Sequence, residues 1–260
     1  MSTVQLFGLG AGGWGGLLLR GAAVTVLVSV CAFLLGLCLG ALGAWGKLSR
    51  SRVTGAAAST YTTVLRGVPD LLVIYLVYFG GSQVLGGASR LFGGDGFVGV
   101  NGFAAGVVAV GVVSGAYQTE VLRAAWLAVP RGQWEAARSL GLPRRAVLRR
   151  VMAPQALRLA LPGLGNVWQM VVKESALVSV TGLVELMRQV QVAAGSTRRP
   201  FEFYMAGAVL YLVLTALSDA VFRFAERRAS RRTAQETAPG GAQEAPQDPA
   251  AKAAPGMARA

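Results

Sequence analysis

Residues Gly21 to Trp45 read GAAVTVLVSVCAFLLGLCLGALGAW, an uncharged apolar run between Arg20 and Lys47. A helix needs about 20 apolar residues to cross the hydrocarbon core of a bilayer. This run is long enough to span and longer than the apolar region of a cleaved signal peptide. No basic stretch precedes it, since Arg20 is the first positive charge, so it is expected to be a retained first helix. Four further stretches follow at membrane-spanning length: Tyr61–Leu85, Phe97–Leu122, Gln155–Thr181 and Tyr204–Phe224. The fourth of the five is the least clean, because Pro162, Lys173 and Glu174 lie inside it. The expectation is an all-α membrane protein of about five transmembrane helices.

Composition agrees. The chain is 53% hydrophobic and 14% charged, against about 25% charged in an average soluble domain. A net charge of +13 invites a nucleic-acid reading, but the charges sit between apolar runs rather than on one soluble face. With the N-terminus outside, Lys47, Arg50, Arg52, the arginines between Arg123 and Arg150, and those from Arg223 to Arg232 fall inside. That is fifteen positive residues inside against five outside: Arg20, Arg90, Arg188, Arg198 and Arg199. Lys and Arg concentrate in cytoplasmic loops, so the asymmetry points to N-outside and C-inside in a cytoplasmic membrane. It also accounts for the basic balance without nucleic acid. The two cysteines, Cys31 and Cys38, share a helix face about 10 Å apart, too far for a disulfide, and read as small packing residues. The chain has no histidine, which removes a histidine base and makes a typical zinc or copper site improbable.

The domain reading is an N-terminal extracytoplasmic segment at 1–20, a transmembrane domain at 21–230 and a disordered cytoplasmic tail at 231–260. From about Thr233 the composition turns to Ala, Pro, Gly, Gln and Glu, without apolar periodicity. Within the transmembrane domain, one loop is too long and too patterned for a plain connector. Gln133-Trp134-Glu135-Ala136-Ala137-Arg138-Ser139-Leu140 is rich in helix formers, Gly141 provides a stop, and Pro143 suits the first turn of a new helix. Helix, glycine turn and helix are therefore expected on the cytoplasmic face. Chemistry alone leaves open an amphipathic surface helix whose arginines hold anionic headgroups.

The spacing is more specific than the chemistry. Glu135-Ala136-Ala137, three residues, Gly141, nine residues, Val151, one residue and Ala153-Pro154 resembles the EAA motif of bacterial ABC import permeases. Val151 and Ala153 depart from the family's Ile and Leu but remain apolar. Further stretches resemble the polar amino-acid branch of that family, the histidine, arginine, glutamine and opine permeases. They include Arg66-Gly67-Val68-Pro69, Ala116-Tyr117-Gln118-Thr119-Glu120, Pro154-Gln155-Ala156-Leu157-Arg158 and Lys173-Glu174-Ser175-Ala176-Leu177. The resemblance covers about residues 15–230.

It implies an importer permease whose coupling loop, 131–154, docks on a separate ABC ATPase through Glu135, Ala136, Ala137, Gly141 and Pro154. It also implies a second permease subunit, identical or homologous, an extracytoplasmic solute-binding protein, and ATP on the partner rather than any cofactor on this chain. No G-x-x-x-x-G-K-[ST] phosphate loop occurs here. For the amino-acid path, intramembrane polar residues are the candidates: Asn166, Gln169 and Lys173 at i, i+3 and i+7, with Glu174 beside them. A helix–helix contact glued by hydrogen bonds explains that stripe equally well. Arg66 and Asp70 are expected to pair at i, i+4 near the start of the second span. Glu120 and Arg123 read as structural polar groups at the membrane edge, and Tyr75 and Tyr78 as packing residues. The resemblance implies a polar amino-acid cargo, histidine, an opine or a basic amino acid, and Val167, where permeases of this branch for cationic substrates often carry an acid, weakens the cationic option without removing it.

Two rivals are weaker. A lipid-acting membrane enzyme needs an acid–base cluster, and the acids here are scattered singly. A secondary transporter acting without an ATPase usually shows repeated groups of spans, and none is visible.

Overall fold

The computed structural model describes residues 6–10, 13–91 and 100–237. The described residues are helical throughout, without a strand. Helix α1 spans Gly15–Leu48, so at 1.5 Å per residue it is about 51 Å long. Its ends therefore stand on opposite sides of any bilayer it crosses.

The second expected span divides in two. Helix α2 runs Arg52–Gly67, capped by Ser51, and α3 begins at Asp70. Val68 between them is extended, because a residue before proline is pushed out of the helical region and Pro69 has no N–H to donate. The crossing is consequently α3 (Asp70–Tyr75), a π-helical turn (Leu76–Gly80) and α4 (Gly81–Leu91), not Tyr61–Leu85. Helix α2 instead leans on α1 and α5. The Tyr61 hydroxyl donates to the Val112 carbonyl at 2.6 Å.

Helix α5 occupies Gly102–Leu127, with the Asn101 side chain accepting the Phe103 N–H at 2.8 Å. It packs along α1 more extensively than any other pair. Gly36 of α1 and Gly115 of α5 make the approach possible. A Cβ at Gly115 would stand 3.0 Å from the Leu39 Cβ and 3.2 Å from the Gly36 carbonyl, and one at Gly36 would collide with Ser114 and Gln118. Small residues drive packing inside a bilayer, where burial against lipid gains little. The same seam carries a polar tie, the Gln118 amide donating to the Phe33 carbonyl at 3.2 Å.

Helix α6 (Arg131–Ser139) and the short α7 (Arg144–Ala146) follow. From α7 the chain passes through a π-helical stretch, Val147–Met152, straight into α8, Ala153–Glu174. A 3-10 segment, Ser175–Thr181, follows α8. Helix α9 (Leu186–Thr197) and the long α10 (Pro200–Thr237) close the chain. Helix α1, the α3–α4 crossing, α5 and α10 are long and apolar enough to span a bilayer. Helix α8, which carries Pro162, Asn166 and Gln169 as well as Arg158, Lys173 and Glu174, is not among them. A core of Ala32, Ile74, Ala109, Val110, Val171 and Val178 joins it to α1, α3 and α5. Helix α10 extends through Thr237, into the stretch expected to be a disordered tail. Residues 238–260 lie outside the described residues.

The charged ends segregate. Lys47 donates to Thr62 at 2.7 Å and pairs with Glu120, and Arg123 Nε donates to the other Glu120 oxygen at 3.0 Å. This cluster lies at the end of α1 that also carries the 131–154 segment. At the opposite end, Leu18 and Ala22 pack on Leu186, Val190 and Phe203, in the neighbourhood of Arg188 and Arg199.

Candidate functional site

The 131–154 segment folds around a small core of its own. Val129, Ala137, Val147, Met152 and Ala156 are buried together, walled by Trp126, Trp134 and Leu142. Ala137 is thus the inward residue of the expected Glu-Ala-Ala triplet, and Glu135 and Ala136 face solvent. The Ser139 hydroxyl donates to the Glu135 carbonyl at 3.1 Å, leaving the Glu135 carboxylate projecting. At the helix end Leu140 is 82% exposed.

Gly141 has φ of +76°, a left-handed conformation that only glycine adopts without cost. A Cβ there would meet nothing within 4 Å, so the requirement is conformational rather than steric. The turn is fixed from both sides: Arg138 Nη1 donates to the Leu142 carbonyl at 3.2 Å, and the Leu142 N–H to the Ala137 carbonyl at 3.3 Å. Pro154 sits in the first turn of α8, where its missing N–H costs little. It marks the joint between π-helical and α-helical chain rather than the end of a loop. A helix, a glycine turn and a second helix are present as expected, and the second helix is continuous with α8. Only the turn at Gly141 to Pro143 thus separates α6 from unbroken helix running into α8.

Along α8 the expected polar stripe separates. Asn166 and Lys173 are exposed on one side of the single chain. Gln169 belongs to a helix contact, its amide donating to the Thr215 carbonyl of α10 at 3.2 Å. Glu174 is buried, with its carboxyl group against that of Asp70 and its Oε2 without a hydrogen-bond partner. The expected Arg66–Asp70 pair is absent for the same reason the second span divides. The break at Val68–Pro69 turns Asp70 toward α8, and the Arg66 guanidinium lies 5.3 Å from the Tyr117 ring centre. Tyr75 and Tyr78 both pack on Phe79.

One polar centre was not evident in the sequence. Glu185 is fully buried and caps α9, accepting the Met187 and Arg188 N–H groups at 2.8 Å each. It also accepts the Thr25 and Tyr211 hydroxyls at 3.1 Å each. A glutamate just ahead of an apolar run is a weak capping signal, and its long-range partners have no local signature.

Comparison with known proteins identifies this architecture. The description "Binding-protein-dependent transport system inner membrane component" matches residues 16–231. The chain belongs to this transport family. The octopine transport system permease protein OccQ of Rhizobium radiobacter is 56% identical over 231 residues, 89% of this chain and 98% of that protein. The histidine/lysine/arginine/ornithine transport system permease protein HisQ of Escherichia coli K12 is 41% identical over 218 residues, covering 84% and 95%. The crystal structure of an amino acid ABC transporter with histidines superposes with a TM-score of 0.71 at 36% identity, covering 83% of this chain and 95% of that one. The binding-protein-dependent transport family thus accounts for the whole helical bundle, including the α6 segment.

Proposed function

We propose that this chain is the permease subunit of an ATP-driven ABC importer that carries a polar amino acid or opine across the cytoplasmic membrane. Relatives named for octopine and for histidine, lysine, arginine and ornithine transport support that cargo class. ATP is hydrolysed on a separate ATPase subunit. A second permease subunit, identical or homologous, pairs with this one, and an extracytoplasmic solute-binding protein delivers the amino acid. The fifteen-to-five distribution of basic residues supports an N-terminus outside and the α6 end in the cytoplasm.

The observation that carries the mechanism is α6 itself. A helix with Glu135, Ala136 and Leu140 outward, seated on its own core and joined through the rigid turn at Gly141 to α8, is built to be gripped and moved. When ATP closes the ATPase pair, the docked helices shift the permease toward an outward-open arrangement. The shift is driven by the ATPase's differential affinity for the two states. Asn166 and Lys173, exposed at membrane depth, are expected to line the path between paired permeases, since such groups avoid lipid.

Uptake of labelled amino acid into vesicles containing the complete transporter tests the reading. Uptake is expected to require ATP and to vanish in Glu135→Lys and Gly141→Asp with membrane insertion intact. Substrate movement by this chain alone, without ATP, would instead support a secondary transporter.

A further inference from the structure

Beside α6, two hollows of opposite character meet at one side chain. The first is an apolar groove of about 640 Å³ between the end of α1, the end of α5 and the start of α8, lined by Ala44, Trp45, Leu122, Trp126 and Leu157. The second is a basic hollow of about 630 Å³ formed by Pro143, Arg145, Ala146 and Arg150. Arg149 lines both. The π-helical stretch Val147–Met152 produces this arrangement. It adds a residue to the turn, leaving Leu148, Arg149 and Arg150 all exposed while Val147 and Met152 point inward. Such local widenings of a helix occur often at functional positions.

We infer that this composite site binds one anionic phospholipid, an acyl chain in the groove and the phosphate at Arg149 and Arg145. Three observations favour that occupant. The groove runs past the Lys47–Glu120–Arg123 cluster, from Ala41 and Ala44 on its apolar side to Leu48, Ser49 and Trp126 beyond it, so it spans both acyl-chain and headgroup depth. Trp45, 67% exposed, and Trp126 flank its mouth, as tryptophans do at headgroup depth. The adjoining hollow carries three arginines and no acid among its lining residues, which complements an anionic headgroup on the cytoplasmic leaflet. The site straddles the joint between α7 and α8, so a bound lipid braces the element through which α6 moves the crossing. It rests on the membrane placement proposed above, and not on the cargo.

The test uses the permease purified with its partner subunits from vesicles of phosphatidylcholine and phosphatidylglycerol in equal amounts, with retained lipids counted by native mass spectrometry. The wild type is expected to retain phosphatidylglycerol selectively. Arg149→Gln should lower that retention about fivefold, the factor one basic side chain is worth near an anionic surface. Arg149→Lys should restore most of it. Leu157→Trp, which fills the groove from its half-exposed rim, should lower retention of phosphatidylglycerol with the arginines intact. Equal retention of both lipids by the wild type, or unchanged retention in Arg149→Gln, overturns the inference. So does loss of the ATPase from Arg149→Gln with lipid retention intact, which assigns Arg149 to a protein contact. A Leu157→Trp variant that still retains phosphatidylglycerol as the wild type does overturns the acyl-chain half of the site. ATP-driven uptake by the wild type, measured in parallel, separates failure of this site from failure of the importer reading.

Discussion

Thr25, midway along the N-terminal half of α1, donates its hydroxyl to Glu185 Oε2 at 3.1 Å across 160 residues of sequence. The same oxygen of Thr25 accepts the Leu186 N–H at 3.2 Å, and Tyr211 on α10 completes the knot. One carboxylate therefore ties together three elements, α1, α9 and α10, that apolar contact alone would leave free to slide. Small apolar residues pack well but fix register poorly inside a bilayer, and a saturated polar centre supplies the missing specificity.

Glu185→Ala strands four donors in a buried site, and each unmade bond costs about 1–3 kcal/mol. A large fall in thermal midpoint in detergent is expected, with loss of folded protein at growth temperature. Glu185→Gln keeps one carbonyl acceptor and should fall between the variant and wild type. Tyr211→Phe removes one donor and should cost about 1 kcal/mol. Equal midpoints for Glu185→Ala and wild type would show that the knot does not hold these helices.

At Gly141 the series Asn, Ala, Val separates conformation from bulk. Open space surrounds the site, so only the left-handed backbone discriminates, at about 1–2 kcal/mol for an ordinary L residue. Asn tolerates that region best. Uptake is expected to decline in the order Gly, Asn, Ala, Val, while the amount of permease in the membrane stays constant. A flat series would mean that the turn is not strained during transport.

How much of this was open to the sequence depends on whether a feature is local. The spans of α1, α5 and α10 follow from long, predominantly apolar runs, and the α6 turn from the placement of Gly141 and Pro143. The division of the second span has a local signal, Val68-Pro69, which a hydropathy reading of Tyr61–Leu85 as one run passes over. What no pattern discloses is pairing at a distance. Gln169, Asn166 and Lys173 share a nominal face, yet only the position of α10 decides that Gln169 is spent on Thr215. Asp70 likewise finds Glu174 rather than Arg66, its neighbour one turn away in sequence.

That separation along α8 makes a prediction of its own. Gln169→Ala removes a helix–helix bond worth about 0.6–2 kcal/mol in a bilayer, so it should lower the thermal midpoint modestly and leave substrate affinity unchanged. Asn166 and Lys173 are exposed and make no helix–helix hydrogen bond among the described residues, Lys173 acting only through its charge on the neighbouring Glu174, so Asn166→Ala and Lys173→Gln remove no packing contact. They should leave the midpoint unchanged and alter the concentration dependence of uptake. A reversed pattern would place the path elsewhere.

The α1–α5 seam is the least forgiving part of the bundle. At Gly36 an added Cβ collides with the Ser114 hydroxyl and lies 2.7 Å from the Gln118 amide nitrogen, with the Gly111 carbonyl 3.1 Å away. The side-chain atoms can rotate aside, but the backbone carbonyl cannot. Gly36→Ala is therefore expected to cost about 1–3 kcal/mol, the usual range for overpacking, and Gly36→Leu to prevent assembly of the bundle. At Gly16, where nothing lies within 4 Å of an added Cβ, alanine should be tolerated and can serve as the control on the same helix. Thermal midpoints of the two alanine variants in the same detergent decide the matter. A Gly36→Ala protein as stable as Gly16→Ala would mean that α1 and α5 can part at this level without loss, and that the close seam is not what holds the crossing helices together.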